Sequence, residues 1–292
     1  MKKINLISDT ITKPSKDMLA FMMQAEVGDD VFGQDPTVNE LERKLAEMFN
    51  MQAGLFCPSG TMTNQIAIKV HTNALDELIC EKTSHVYQYE TGGYSYNSRV
   101  AINLIDGENG KLKPQQIQHA IKPDYDWLPK STLVTIENSC NKGGGSYYSL
   151  DEMKAIASTC KQNDLRYHLD GARLFNVLVE TNDKPQDIGP LFDSISICLS
   201  KGLGAPVGSV LLGDSATIKR ARKFRKVMGG GMRQAGYLAA AGIYALDNNV
   251  SQLKKDNLHA AQIGDQLKQL DFVTHVKPVS YTHLTLPTIL RV

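Results

Sequence analysis

The sequence predicts an α/β fold: a mostly parallel sheet with helices on both faces, followed by a smaller unit. Three observations carry the α/β reading. Short apolar runs recur along the chain, amphipathic stretches separate several of them, and the strand-like and helix-like stretches alternate. Runs of strand length stand at 53–57 (AGLFC), 77–80 (ELIC), 101–105 (AINLI), 133–136 (LVTI), 166–169 (RYHL), 194–199 (SISICL) and 209–212 (SVLL). Right-handed crossovers between parallel strands would gather the loops after the strands at one edge of the sheet.

The helical stretches carry their own start signals. Residues 15–25 begin polar and place methionines at helical spacing. In DPTVNELERKLAEMF, Asp35 has the position of an N-cap and Pro36 that of the first helical residue. In SLDEMKAIASTCKQ, Ser149 and Glu152 have capping-box spacing. After Asn248 the chain turns polar and helix-like, which predicts a large unit over 1–248 and the start of a smaller one over 249–292.

Composition excludes several classes of function. The chain has 292 residues, a net charge of +1 and 22% charged residues, so no global field favours nucleic acid or a membrane surface. No apolar run reaches membrane-spanning length, and no signal peptide follows the N-terminal lysines. Five scattered cysteines without a C-x-x-C pair read as reduced thiols of a cytoplasmic protein, and no metal-ligand cluster is visible.

The stretch CLSKGLGAPVG carries the chemistry. Lys201 follows a buried-type strand and is surrounded by Gly202, Gly204 and Gly208. Two readings stay open for it: a loop lysine at the surface, or an amine that loses its proton and attacks a carbonyl. Ser59-Gly60-Thr61 lies between a strand and a helix, either as a plain N-cap or as an anion site suited to one phosphate. Asp170 ends the RYHL strand, and its partner is either Arg173 or a protonated heterocyclic nitrogen. His85 shares a loop with Tyr87, Tyr89 and Glu90, and is either structural or a flat group over a ring. One cofactor uses all four together. Pyridoxal phosphate needs a lysine for its aldehyde, a cup for its phosphate, a carboxylate for its pyridine nitrogen and a group over its ring. On this reading the glycines leave room for the cofactor beside Lys201.

The segments NLISDTITKPS, VGDDVFGQDPTVNELE, PSGTMTNQIA, SHVYQYETGG, HLDGARLFN, CLSKGLGAPVGS and KVMGGGMRQAGYLAAAGIYAL resemble the low-specificity L-threonine aldolases, fold-type I pyridoxal-phosphate enzymes. The resemblance implies cleavage of L-threonine and L-allo-threonine, small β-hydroxy-α-amino acids, to glycine and acetaldehyde. By it Lys201 links to the cofactor, Asp170 pairs with the pyridine nitrogen, and His85 stacks on the ring and serves as base. Ser59, Gly60, Thr61 and Ser200 hold the phosphate. Ser8 and Arg173 meet the substrate carboxylate, with Arg173 also at the cofactor. Lys226 and Arg233 lie at the active site or a subunit interface of a homotetramer. Transamination, β-elimination and a cofactor-binding scaffold with little turnover are the alternatives.

The chain departs from the family pattern at Ile7, where an Arg is usual, and at Cys140 and Trp127, where many members carry His. The match fades after Lys277, and residues 279–292 read as a non-native end in place of a C-terminal domain with a carboxylate-clamping arginine.

Overall fold

The structure, a computed structural model, describes residues 5–273. The strands are Ala53–Cys57 (β1), Asp76–Glu81 (β2), Ala101–Ile105 (β3), Lys130–Glu137 (β4), Arg166–Gly171 (β5), Ser194–Cys198 (β6) and Ser209–Gly213 (β7). They form one sheet in the order β1-β7-β6-β5-β4-β2-β3, in which only β7 runs against its neighbours. Each of the expected runs is a strand. Ser209, the first residue of the antiparallel β7, lies opposite both Cys57 and Cys198, the last residues of β1 and β6. A hydroxyl at the start of one strand is thereby brought to the edge where the parallel strands end.

The helices are Lys16–Met23 (α1), Pro36–Met48 (α2), Gly60–His71 (α3), His85–Gln88 (α4), Gly93–Ser98 (α5), Pro114–Ala120 (α6), Leu150–Gln162 (α7), Leu174–Thr181 (α8), Pro185–Ile188 (α9), Ser215–Val227 (α10), Gly236–Asn248 (α11) and Leu253–Leu267 (α12). The expected caps are made: Ser15, Asp35 and Ser149 each accept a backbone N–H from the first turn of their helices.

Strand alternation sorts the core into two layers. Leu55, Cys57 and Leu211 face α3 and α10, packing with Ile66, Ala67, Ile218 and Ala221. Phe56, Val210 and Leu212 point the other way and join the main core with Leu41 and Leu45 of α2. Toward the other end of the sheet α3 also packs Ile68 on Leu78, Cys80 and Leu133. One helix thus spans much of one face, with its N-terminus at the edge where β1 and β6 end. Beyond Asn248, α12 packs on α8, with Leu253 buried and Asn257 Nδ2 donating to Asn176 O at 3.0 Å. The non-native end read at 279–292 lies outside the described residues.

Candidate active site

Asp170 is the last but one residue of β5, and its side chain is buried. Its Oδ2 accepts from Asn64 Nδ2 of α3 at 2.8 Å and its Oδ1 from the backbone N–H of Ala172 at 3.1 Å. The candidate pair with Arg173 is not made. Arg173 turns to the N-terminal segment instead, where its Nε and Nη2 donate to the two oxygens of Asp9, each at 2.7 Å. The bidentate contact with Asp9 holds the Arg173 guanidinium above its ordinary pKa, although burial opposes its charge. Ser8 caps the short 3-10 turn Asp9–Ile11, and Thr12 Oγ1 donates to Lys201 O at 2.8 Å. Residues 8–12 therefore lie across both Arg173 and Lys201.

His85 opens α4, and its Nδ1 meets Glu90 Oε1 at 2.9 Å. Glu90 is buried and also accepts from Asn64 Nδ2 at 2.9 Å and Gln65 Nε2 at 2.6 Å. His85 and Asp170 are joined through Glu90 and Asn64, and one ligand atom from each of His85, Glu90 and Asp170 lies within 4.8 Å of the others. Such a trio has metal-ligand chemistry, but its carboxylate oxygens accept from amide N–H groups, the pattern of a hydrogen-bonded carboxylate pair. Burial opposes a charge on His85, yet the Glu90 hydrogen bond and the charges of Asp170, Glu90 and Glu137 prevail and raise its pKa. Glu137 ends β4 beside Asp170 and accepts from the backbone N–H groups of His85 and Asn141. Burial first, and then the charge of Asp170, pushes Glu137 up to about 7.

At the other side of the edge, Ser59 caps α3 by accepting from Met62 N at 3.2 Å. The helix has no carbonyl for the N–H groups of Gly60 and Thr61, so both remain available to an anion. Ser209 Oγ is buried without a hydrogen-bond partner among the described residues and would stand 3.5 Å from a Cβ placed on Gly60. Ser200 Oγ lies 3.5 Å from Cys198 Sγ on the same rim. An unpartnered hydroxyl beside free helix N–H groups fits a phosphate.

Lys201 is half-buried and lines a small recess with Gly171, Ala172, Arg173 and Cys198. The glycines around it do other work than the sequence suggests. Gly204 and Gly208 have φ of 83° and 121°, and a Cβ on Gly208 would stand 2.5 Å from the Phe56 ring. A Cβ on Gly202 would press on Leu253 of α12 at 2.9 Å. They serve the turn and its packing. Lys226 stands in the last turn of α10 and Arg233 on the connection from α10 to α11, where it donates to Asp29 at 2.8 Å. No hydrogen bond or ion pair among the described residues ties either to Lys201 or Asp170. Of the departures, Ile7 is exposed, Cys140 is buried with its Sγ directed at backbone carbonyls, and Trp127 is exposed and stacks on Tyr125.

Asn64, Glu90, Glu137, Asp9 and Ser209 were not among the expected site residues. For Glu90 the signal was its place in the His85 loop; Asn64 is four residues beyond Gly60 and shares its helix face. Asp9 meets Arg173 across 164 residues, which no local pattern reports.

A lysine, a buried carboxylate, a histidine and a helix N-terminus thus gather at the strand ends of the sheet. The model of the family described as "Beta-eliminating lyase" matches residues 5–288, and the chain belongs to that family. The Escherichia coli K12 protein named low specificity L-threonine aldolase is 42% identical over 267 residues, covering 91% of this chain and 79% of that one. The Arabidopsis thaliana low-specificity L-threonine aldolase 1 is 38% identical over 274 residues, covering 92% and 76% of the two chains. The solved structure of the Leishmania major threonine aldolase shares the fold, with a TM-score of 0.79 at 24% identity, over 90% of this chain and 78% of that one.

Proposed function

We propose that this chain cleaves L-threonine and L-allo-threonine to glycine and acetaldehyde. The observation that carries the reading is the bonded group Asp170–Asn64–Glu90–His85 at the edge that also holds Lys201 and the free N–H groups of α3. Pyridoxal phosphate, when bound, supplies an electron sink for the bond that breaks at Cα. Lys201 offers the amine for its aldehyde. Gly60, Thr61, Ser59, Ser200 and Ser209 would hold its phosphate, Asp170 would keep a proton on its pyridine nitrogen, and His85 would supply the flat group over its ring.

Arg173 and Ser8 grip the substrate carboxylate, which sets the angle of the scissile bond. Asp9 occupies two of the guanidinium's five N–H donors and leaves three for the substrate carboxylate. His85 takes the β-hydroxyl proton, the Cα–Cβ bond breaks, and the hydroxyl carbon leaves as the aldehyde. A proton then closes Cα and gives glycine. A raised pKa makes His85 a stronger base for this transfer.

Lys226 and Arg233 complete the site from a neighbouring subunit of a homotetramer, and the protein works in the cytoplasm. Residues 1–248 form the cofactor-binding unit and 249–292 begin a smaller one. No helix among the described residues is long and apolar enough to cross a membrane. The test is acetaldehyde release from both threonine epimers by the cofactor-loaded protein, and its loss in Lys201→Ala. Pyruvate from serine without acetaldehyde from threonine would make β-elimination the activity instead.

A further inference from the structure

The face of β5 and β6 beneath α3 is polar where a buried sheet is ordinarily apolar. Tyr167, Leu169, Ile195 and Ile197 point into the main core, while His168, Asp170, Ser194 and Ser196 face α3. All four are buried. Thr63 of α3 meets Ser196, with Oγ1 and Oγ 2.5 Å apart, and the others form a single chain of contacts. His71 Nε2 lies 2.8 Å from Ser194 Oγ, which lies 2.8 Å from His168 Nδ1; His168 Nε2 lies 3.2 Å from Asn64 Oδ1. Asn64 Nδ2 then reaches both Glu90 and Asp170.

The donors in this chain can be assigned by elimination. Two carboxylate oxygens face one end of the Asn64 amide, so that end carries the hydrogens and the other end is the acceptor. His168 must then donate from Nε2. Burial, and next the nearby His71, lowers the His168 pKa to about 3, so the ring is neutral and carries one proton. Nδ1 lies 2.8 Å from Ser194 Oγ and 3.1 Å from Ser194 O; with the proton held on Nε2 by Asn64 Oδ1, Nδ1 accepts from the hydroxyl and gives nothing to the carbonyl. Ser194 Oγ gives its one hydrogen to Nδ1 and accepts from His71 Nε2–H. Every donor from His71 onward points toward the two carboxylates.

We propose that His168 and Asn64 are positioning residues of this site: His168, with its proton on Nε2, fixes the Asn64 amide so that both N–H groups point at Asp170 and Glu90. Without that anchor the amide is free to turn its oxygen toward a carboxylate, where lone pairs meet and neither group is satisfied. The chain acts on the cofactor through Asp170, so the proposal rests on Asp170 being the partner of the pyridine nitrogen.

A ring with and without that nitrogen separates positioning from general support. The cofactor-free full chain is titrated with pyridoxal phosphate and with its 1-deaza analogue, in which carbon replaces the ring nitrogen. Wild type should prefer the natural ring, and Asp170→Asn should abolish the preference. His168→Asn, whose amide matches Nδ1 but falls short of Asn64, should weaken binding of the natural ring by about tenfold and of the analogue by less than about threefold. His168→Gln, whose terminal amide reaches Asn64, should restore most of the preference. Ser194→Ala removes one small hydroxyl and should give the same selective loss to a lesser degree, which keeps the test informative if His168→Asn folds poorly. Equal losses for both rings, or none, in His168→Asn and Ser194→Ala would overturn the proposal. A preference that survives Asp170→Asn would remove the reading of Asp170 first, and the proposal with it.

Discussion

At the scale of the residue, Glu137 is a carboxylate whose ionisation is opposed by its place. An ordinary glutamate titrates near 4.5, whereas burial and the neighbouring Asp170 charge put Glu137 at about 7. Between those values the folded chain binds a proton that the unfolded chain has released, so stability falls as pH rises through the window. The penalty is absent below 4.5, complete above about 7, and amounts to at most ~3 kcal/mol. His85 acts in the same direction, because a raised imidazole pKa stabilises at low pH and that gain is lost as pH rises through its folded value. His71 and His168, lowered by burial from 6.5 to about 4 and about 3, act oppositely up to the ordinary imidazole value, and they are common to wild type and variant. Glu137→Gln should therefore remove one falling contribution between about pH 5 and pH 7, so that the unfolding free energy of the variant, relative to wild type, rises with pH across that window in urea titrations of the full chain. An unchanged pH dependence would mean that Glu137 is charged throughout. Nothing in ENSCN announces this behaviour, since it arises from the pairing of Glu137 with Asp170 across two strands. Lys201 and Asp170, by contrast, were legible because each is a charged residue at the end of an apolar run.

At the scale of the element, α3 organises the site from end to end. Its first turn offers N–H groups to an anion, Asn64 lies one turn further, and His71 closes it on Ser194. The sequence made the start of this helix legible, because Ser-Gly after a strand has few other meanings. Its buried polar face was written less plainly. RYHLD and SISIC alternate polar with apolar residues, whereas a parallel strand covered on both faces is expected to be apolar throughout. Read only as apolar runs they give correct strands and hide the seam beneath α3. The cap itself is testable. Ser59 Oγ accepts from Met62 N, so Ser59→Ala should lower the unfolding free energy of the cofactor-free chain by about 1 kcal/mol. Chemical denaturation measures this directly, and an unaltered midpoint and slope would show that the hydroxyl does not cap the helix.

At the scale of the molecule, the end of α10 and the turn to α11 carry exposed apolar side chains beside cations. The Asp29–Gly33 segment is pinned to that turn by Arg225–Asp30 at 2.7 Å, by Arg233–Asp29 at 2.8 Å and by Asp30 N donating to Arg233 O at 3.0 Å. The pinned rim leaves Phe32 72% and Val227 85% exposed, next to Lys226 and Arg233. Large apolar side chains held rigidly in solvent beside cations are what a symmetric interface uses. If Arg233 serves a neighbouring subunit, Lys201→Ala and Arg233→Ala damage different halves of each shared site. Each variant alone should be nearly inactive. Unfolding and refolding them together in equal amounts should restore activity, because a mixed pair carries one site built wholly from intact residues. With random pairing, about a quarter of all sites are intact, so activity should return to roughly that fraction of wild type. Sedimentation of the mixture confirms that subunits have associated. A refolded and associated mixture as inactive as its parents would place Arg233 within the site of its own chain, and the shared-site arrangement would fall.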